Sequence, residues 1–392
     1  MPTTSPDSNR RPLRVCYFGT YRSKYSRNII MIDSLRRMGV EVSECHIQLW
    51  HGIDDRVAAA SGAWRSPGFW LRVLRAYWDL LRKYRHVDDY DVMVVGYPGQ
   101  FDVFLARLLA RRRHKPLVLD VFMSIYLIAA ERNLDQRSPT TVGALKRIEG
   151  AALRQPDLLI QDTARYVAWL TDTYELSAAR FRLVPTGADN HVYQPLESLE
   201  KNSPLFRVTY YGTFIPNHGV PFMLAAAQLL SEQPDIHFEF IGQGPELPEA
   251  EQTARAAGLQ NITFISWMDR EELVRHVSST DVCLGAFGKT PQSLMTVQNK
   301  IYEGLAMQLP VISGDSPAMR DVFEHKKHLF LVSREDPQEL AQGILELKSN
   351  PKLRAAIAAS GYAYYLENFT VEALGRQFLN HLYELLDKSP AA

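Results

Sequence analysis

Short apolar runs alternate with longer amphipathic stretches along most of this chain. Arg14-Val15-Cys16-Tyr17-Phe18-Gly19 reads as a buried strand ending in a glycine turn. A helical period follows over 26–38, Gly39 stops it, and Val40-Glu41-Val42 opens a second strand. That is a βαβ unit. The rhythm predicts further strands over 91–95, 116–119, 157–160 and 182–184, with helices between them. Strands that are apolar throughout belong to a parallel sheet covered on both faces. The polar stretch from Gly187 to Pro204, with Pro195 inside it, reads as a linker. A second series begins at Phe206-Arg207-Val208-Thr209-Tyr210-Tyr211-Gly212 and continues with strands over 236–241, 262–265, 282–284, 310–312 and 329–332. Helices starting at Pro337, Pro351 and Thr370 close it. The expected fold class is α/β: two facing Rossmann-like doubly wound domains, 1–195 and 196–369, with both sets of strand C-termini on a central cleft where ligands bind.

The length, 392 residues, agrees with two domains rather than one core. A composition of 46% hydrophobic and 22% charged residues is globular. The formal charge is zero, but 28 Lys+Arg stand against 22 Asp+Glu through residue 200, leaving 16 against 22 of the 44 of each sign. A basic first half suits an anionic partner, or is ordinary scatter. Three cysteines, Cys16, Cys45 and Cys283, without CxxC spacing argue against a disulfide framework or a zinc site and for a reducing cytoplasm. Met1 to Arg11 is polar and shows no signal peptide, and no run has the length of a membrane span.

The segment richest in chemistry is Val297-Gln298-Asn299-Lys300-Ile301-Tyr302-Glu303-Gly304-Leu305-Ala306-Met307, followed by Leu309-Pro310-Val311-Ile312. It reads as a loop, a short helix and a buried strand. A helix N-terminus carries partial positive charge and unpaired N–H groups, so it can hold a phosphate. A carboxylate one turn in can accept hydrogen bonds from two neighbouring sugar hydroxyls. Diphosphate and ribose together are the handle of a nucleotide-sugar.

This segment, with Tyr211-Gly212-Thr213-Phe214-Ile215-Pro216-Asn217-His218-Gly219 and Phe240-Ile241-Gly242-Gln243-Gly244-Pro245, resembles the large retaining glycosyltransferase family 4 with the GT-B fold, in a divergent form. The resemblance implies that the last helix, 370–392, packs back on the first domain. It implies a hexosyl-type transferase that retains anomeric configuration, works without a metal or cofactor, and uses a nucleotide-diphosphate sugar as co-substrate. The donor would bind the second domain and the acceptor the first. Donor contacts are expected from Gly19, Thr20, Gly212, Thr213, His218, Gly219, Gly242, Gly244, Asn299, Lys300 and Glu303. The chain departs from the family in three places. The arginine after the first glycine and the lysine five residues later, which hold the diphosphate, are Thr213 and His218. The first of two glutamates eight residues apart is Met295, and the second is Glu303.

Lys300, Glu303 and Asp120 are the expected catalytic residues. Lys300 would bring charge to the diphosphate, Glu303 would take the ribose, and a protonated His218 would add a phosphate contact. Asp120 closes the strand Leu117-Val118-Leu119, where it reads either as a cleft carboxylate or as a helix cap. Gly19-Thr20-Tyr21 is followed by Arg22, Lys24 and Arg27, a basic turn that favours an anion. Asp162-Thr163 reads as a cap. Asp89-Tyr90-Asp91 imitates a metal motif but precedes its strand, so no metal is implied. From Phe69 to Arg85, Trp70, Val73, Leu74, Tyr77, Leu81 and Tyr84 form a stripe opposite Arg72, Arg75, Asp79, Arg82 and Lys83. Such a helix fits either a bilayer interface or packing on its own sheet. No nucleic-acid pattern is present.

The expected function is transfer of a sugar from a nucleotide-diphosphate sugar to an acceptor left open between a lipid-linked glycan and a small molecule. The expected place is the cytoplasm, with the inner membrane face open. Two alternatives stand beside it: a GT-B nucleotide-sugar epimerase, which would lean on Asp120, Asp162 and His218, and a non-catalytic nucleotide-sugar-binding module.

Overall fold

A computed structural model describes residues 11–49, 66–132, 134–196 and 204–388. Residues 1–10, 197–203 and 389–392, which carry parts of the readings above, lie outside them. The chain divides into two compact units, one built from Met1–Gln161, Thr171–Val184 and Gly375–Ala392, the other from Asp162–Leu170 and Pro185–Leu374.

In the first unit, β1 (Arg14–Gly19), β2 (Glu41–His46), β3 (Val92–Val95), β4 (Leu117–Asp120), β5 (Leu158–Gln161) and β6 (Phe181–Leu183) form one sheet in the order β2-β1-β3-β4-β5-β6. Every pairing is parallel. The four-residue β3, β4 and β5 are buried at every position, as uniformly apolar strands require. The helix Val371–Lys388 crosses from one unit to the other. From Gly375 onward it packs in the first unit, and there a Cβ at 375 would collide with the Ser34 carbonyl oxygen of the helix Ser26–Arg37. His381 Nε2 lies 3.1 Å from the Leu183 carbonyl oxygen, and Arg182 pairs with Glu384 at 3.1 Å.

The second unit repeats the plan. β7 (Phe206–Thr213), β8 (Ile236–Gln243), β9 (Ile262–Ile265), β10 (Val282–Leu284), β11 (Val311–Gly314) and β12 (Phe330–Val332) run parallel in the order β12-β11-β10-β7-β8-β9. The chain therefore reverses its direction of travel between β7 and β10. In open parallel sheets the crevice beyond the strand C-termini at such a reversal is where ligands bind. The three cysteines are buried free thiols. Among the described residues, no helix is long and apolar enough to cross a membrane.

Candidate functional site

The end of β7 is built around Tyr210. Its buried ring directs the hydroxyl to the Thr213 carbonyl oxygen at 2.8 Å and to His218 Nδ1 at 2.8 Å. The same His218 nitrogen lies 2.6 Å from the Thr213 carbonyl oxygen. That oxygen can only accept, so Nδ1 carries the ring proton and Nε2 is left as an acceptor. Gly219 follows in the left-handed region and opens the helix Val220–Leu229. Gly242 sits beside Gly212 across the β7–β8 ladder, and a Cβ there would collide with the Gly212 carbonyl oxygen. A Cβ at Gly244 would lie 2.5 Å from the Phe214 backbone nitrogen. These two glycines shape the turn rather than present it.

Lys300 reaches into this turn from the helix Asn299–Ala306. It is 6% exposed. Its amine lies 3.2 Å from His218 Nδ1 and 4.1 Å from the centre of the Tyr210 ring. Gly212, at φ +141°, makes room for it: a Cβ there would be 3.0 Å from Nζ. Burial lowers the Lys300 pKa to about 7, with Glu303 pulling the other way. The helix has no side-chain cap at Gln298, so its first N–H groups remain available at the same end.

Glu303 lies one turn further on. Burial raises its pKa to about 7, against the opposing charges of Lys300 and Arg270 and hydrogen bonds from the Tyr193 and Tyr211 hydroxyls. A lysine and a glutamate both brought toward neutrality in one place mark a site rather than a surface. His218 is held well below its usual pKa by burial first, and then by Lys300 and Arg334. His218 is therefore neutral, in place of the cation expected to meet a phosphate.

Arg334 was not foreseen. It follows β12 and is 4% exposed. Nε donates to the Asp315 carbonyl oxygen at 2.8 Å, and Nη1 donates to the Gly288 carbonyl oxygen and Ser293 Oγ, both at 2.7 Å. Among the described residues, its buried Nη2 has no partner. Burial lowers its pKa to about 10. A basic residue two positions after a buried strand, at the ligand-binding end of the sheet, was the available signal.

The structure thus brings together Gly212, Thr213, His218, Gly219, Gly242, Gly244, Asn299, Lys300 and Glu303 in the second unit. Gly19, Thr20 and Asp120 belong to the first. There the Thr20 amide donates to Asp102 Oδ2 at 2.6 Å and its hydroxyl to the same carboxylate at 3.0 Å. Tyr77 completes the cluster with a 2.7 Å bond to Asp102 Oδ1. The groups expected to meet a phosphate are turned toward a carboxylate. Asp120 is fully buried, and Arg27 donates to both its oxygens at 2.9 Å while also holding the Val184 carbonyl oxygen at 2.8 Å. A proton-transfer role for Asp120 would require this pair to open. Thr163 accepts from the Tyr166 amide at 3.1 Å, the capping bond read from the sequence. Asp89 and Asp91 both pair with Arg14. Among the described residues, no group of three or more His, Cys, Asp or Glu side chains is placed to hold a metal ion.

Comparisons with known proteins agree with this architecture. A family model described as glycosyl transferases group 1 matches residues 206–350. The α-D-kanosaminyltransferase of Streptomyces kanamyceticus is 23% identical over 286 residues, 70% of this chain and 72% of that protein. The D-inositol 3-phosphate glycosyltransferase of Corynebacterium urealyticum is 25% identical over 304 residues, 67% and 70%. Among solved structures, Anabaena Alr3699/HepE in complex with UDP superposes with a TM-score of 0.68 at 15% identity, covering 95% of this chain and 100% of that one. Sucrose-phosphate synthase from Thermosynechococcus elongatus reaches 0.72 at 16% identity, covering 96% and 99%. Residues 206–350 thus match the group 1 glycosyltransferases, and the chain carries the GT-B fold of its solved neighbours.

Proposed function

We propose that this chain is a retaining, hexosyl-type glycosyltransferase whose nucleotide-diphosphate sugar is held in the second unit. The observation that carries the reading is the Lys300 amine, buried beside His218 and one turn before Glu303. A buried amine with a lowered pKa is a cation waiting for an anion, and a diphosphate restores its charge. Lys300 occupies the place beside residue 218 where the sequence lacks the usual lysine. The N–H groups of the helix from Asn299 would share the diphosphate. Glu303, ionised, would take the ribose hydroxyls. His218 Nε2, an acceptor, suits a sugar hydroxyl better than a phosphate.

Charge on the departing diphosphate would be stabilised by Lys300, the helix N-terminus and the field of Arg334, fixed donors that need no reorganisation during reaction. No metal and no cofactor enters this scheme. Asp120, paired with Arg27, has no proton-transfer step in it. The group 1 glycosyltransferase match over residues 206–350 supports glycosyl transfer, and the UDP complex of Anabaena HepE supports a nucleotide on this fold.

The test is a thermal-shift panel of UDP, GDP and ADP with their sugars, followed by NMR of the product anomer. One base class should stabilise the chain, Lys300→Met should reduce the shift at equal nucleotide concentration, and the product should keep the donor's anomeric configuration. No shift from any nucleotide would end the donor reading, and an inverted anomer would end retention.

A further inference from the structure

The helix Pro67–Tyr84 in the first unit buries Ala76, Leu80 and Tyr84. Trp70, Leu74 and Trp78, spaced one turn apart, and the adjacent Leu71 face away from that side and are 51%, 65%, 59% and 69% exposed. Scattered exposed leucines need no account, but a ridge of two tryptophans and two leucines does. Within 66–86 the chain carries Arg72, Arg75, Arg82, Lys83 and Arg85 against the single acid Asp79. All five basic residues are exposed. A second apolar stripe, Phe101, Phe104 and Leu108, is exposed at 44%, 39% and 49%. It starts beside Asp102, the residue to which Tyr77 of this helix bonds.

We infer that the Trp70–Leu74–Trp78 ridge docks on an anionic lipid surface. The charge decides the occupant. A second copy would bring five more cations to the same face and be repelled, whereas an anionic headgroup layer attracts each of them. The ridge supplies what a bilayer interface accepts: tryptophans at headgroup depth, leucines below them and arginines whose stems lie along the apolar face. The helix would lie in the interface plane. This inference does not depend on the donor site.

The test is sedimentation of the full chain with phosphatidylcholine vesicles, with and without phosphatidylglycerol, at low and high salt. The wild type should sediment with the anionic vesicles only, and less at high salt. Arg75→Gln and Arg82→Gln should each lower the partition coefficient roughly fivefold. Leu74→Glu should lower it further, while far-UV circular dichroism shows an unchanged thermal transition. Trp70 and Trp78 should be quenched by lipids brominated along the acyl chain, and a Trp70→Phe/Trp78→Phe variant should lose that quenching. Three results would overturn the inference: no sedimentation of the wild type, equal binding to neutral vesicles, or a lipid-free dimer in analytical ultracentrifugation that Leu74→Glu dissociates.

Discussion

Lys300→Met removes the amine while keeping most of the side chain's length. A charge-assisted hydrogen bond to phosphate contributes about 1.5–3 kcal/mol. Burial sets the Lys300 pKa at about 7, so at pH 7 about half the molecules must take up a proton to meet the diphosphate. That costs about 0.4 kcal/mol at pH 7 and about 1.4 kcal/mol at pH 8. The variant should therefore bind its nucleoside diphosphate more weakly by about 1–2.5 kcal/mol at pH 7, roughly 5- to 70-fold. The sign with pH follows from the lowered pKa: the advantage of the amine is complete below 7 and fades above it. The ratio of variant to wild-type Kd should fall about fivefold between pH 7 and 8. Glu303 titrates in the same range, and the two groups form one coupled pair. Losing Lys300 raises the Glu303 pKa further, which weakens the variant most at low pH and moves the ratio the same way. Calorimetry of both proteins at pH 6, 7 and 8 reads the ratio directly. Equal affinities, or a ratio flat with pH, would refute a titrating Lys300 on the diphosphate.

Three further outcomes are expected. Without nucleotide, Lys300→Met should be the more stable protein at pH 7. The folded-state pKa lies below the usual 10.5, so a penalty of order 3–5 kcal/mol is fully present below pH 7 and relieved toward pH 10; urea titrations showing no gain at pH 7 would contradict the buried charge. Glu303→Ala should weaken a ribonucleoside diphosphate by about 1–3 kcal/mol and bring its affinity level with the 2′,3′-dideoxy form; a surviving gap in calorimetry would move the ribose elsewhere. Asp120→Ala strands the buried Arg27 guanidinium and should cost about 3–5 kcal/mol of unfolding free energy; a cost below about 1 kcal/mol in chemical denaturation would make the pair dispensable.

The central strands were legible because buried parallel strands leave apolar runs, while Glu41–His46 and Ile262–Ile265 at the sheet edges are only partly buried; the candidate-site segment 297–307 was legible because helix, charge and carboxylate lie within one stretch. The Arg27–Asp120 pair joins residues 93 apart in sequence, and no local pattern encodes a contact of that span. Sequence therefore left Asp120 open between a cleft carboxylate and a cap, and placed Arg27 in an anion-binding turn. His218 shows a different limit: its position was legible, but its charge state depends first on its burial and then on the charges of Lys300 and Arg334, which come from distant parts of the chain. For the helix Pro67–Tyr84, periodicity announced an apolar arc but not its azimuth. The stripe read as one face is divided, with Tyr84 turned inward and Trp70 and Leu74 turned out.

The first unit takes its final segment, Gly375–Ala392, from beyond the whole of the second. On the ribosome this imposes an order of events. Domains generally fold as they emerge, N-terminal first, but here the N-terminal unit must wait. Its sheet can form early. The edge strand Phe181–Leu183, however, meets Glu384 and His381 only after some two hundred more residues are made, while the second unit can close before that. A nascent chain therefore passes through a stage with one finished half and one unfinished half whose helix Ser26–Arg37 still lacks its cover at Ser34. That stage is where a chaperone would have to act, and it makes residues 375–388 a closing clasp for the earliest-made part of the protein.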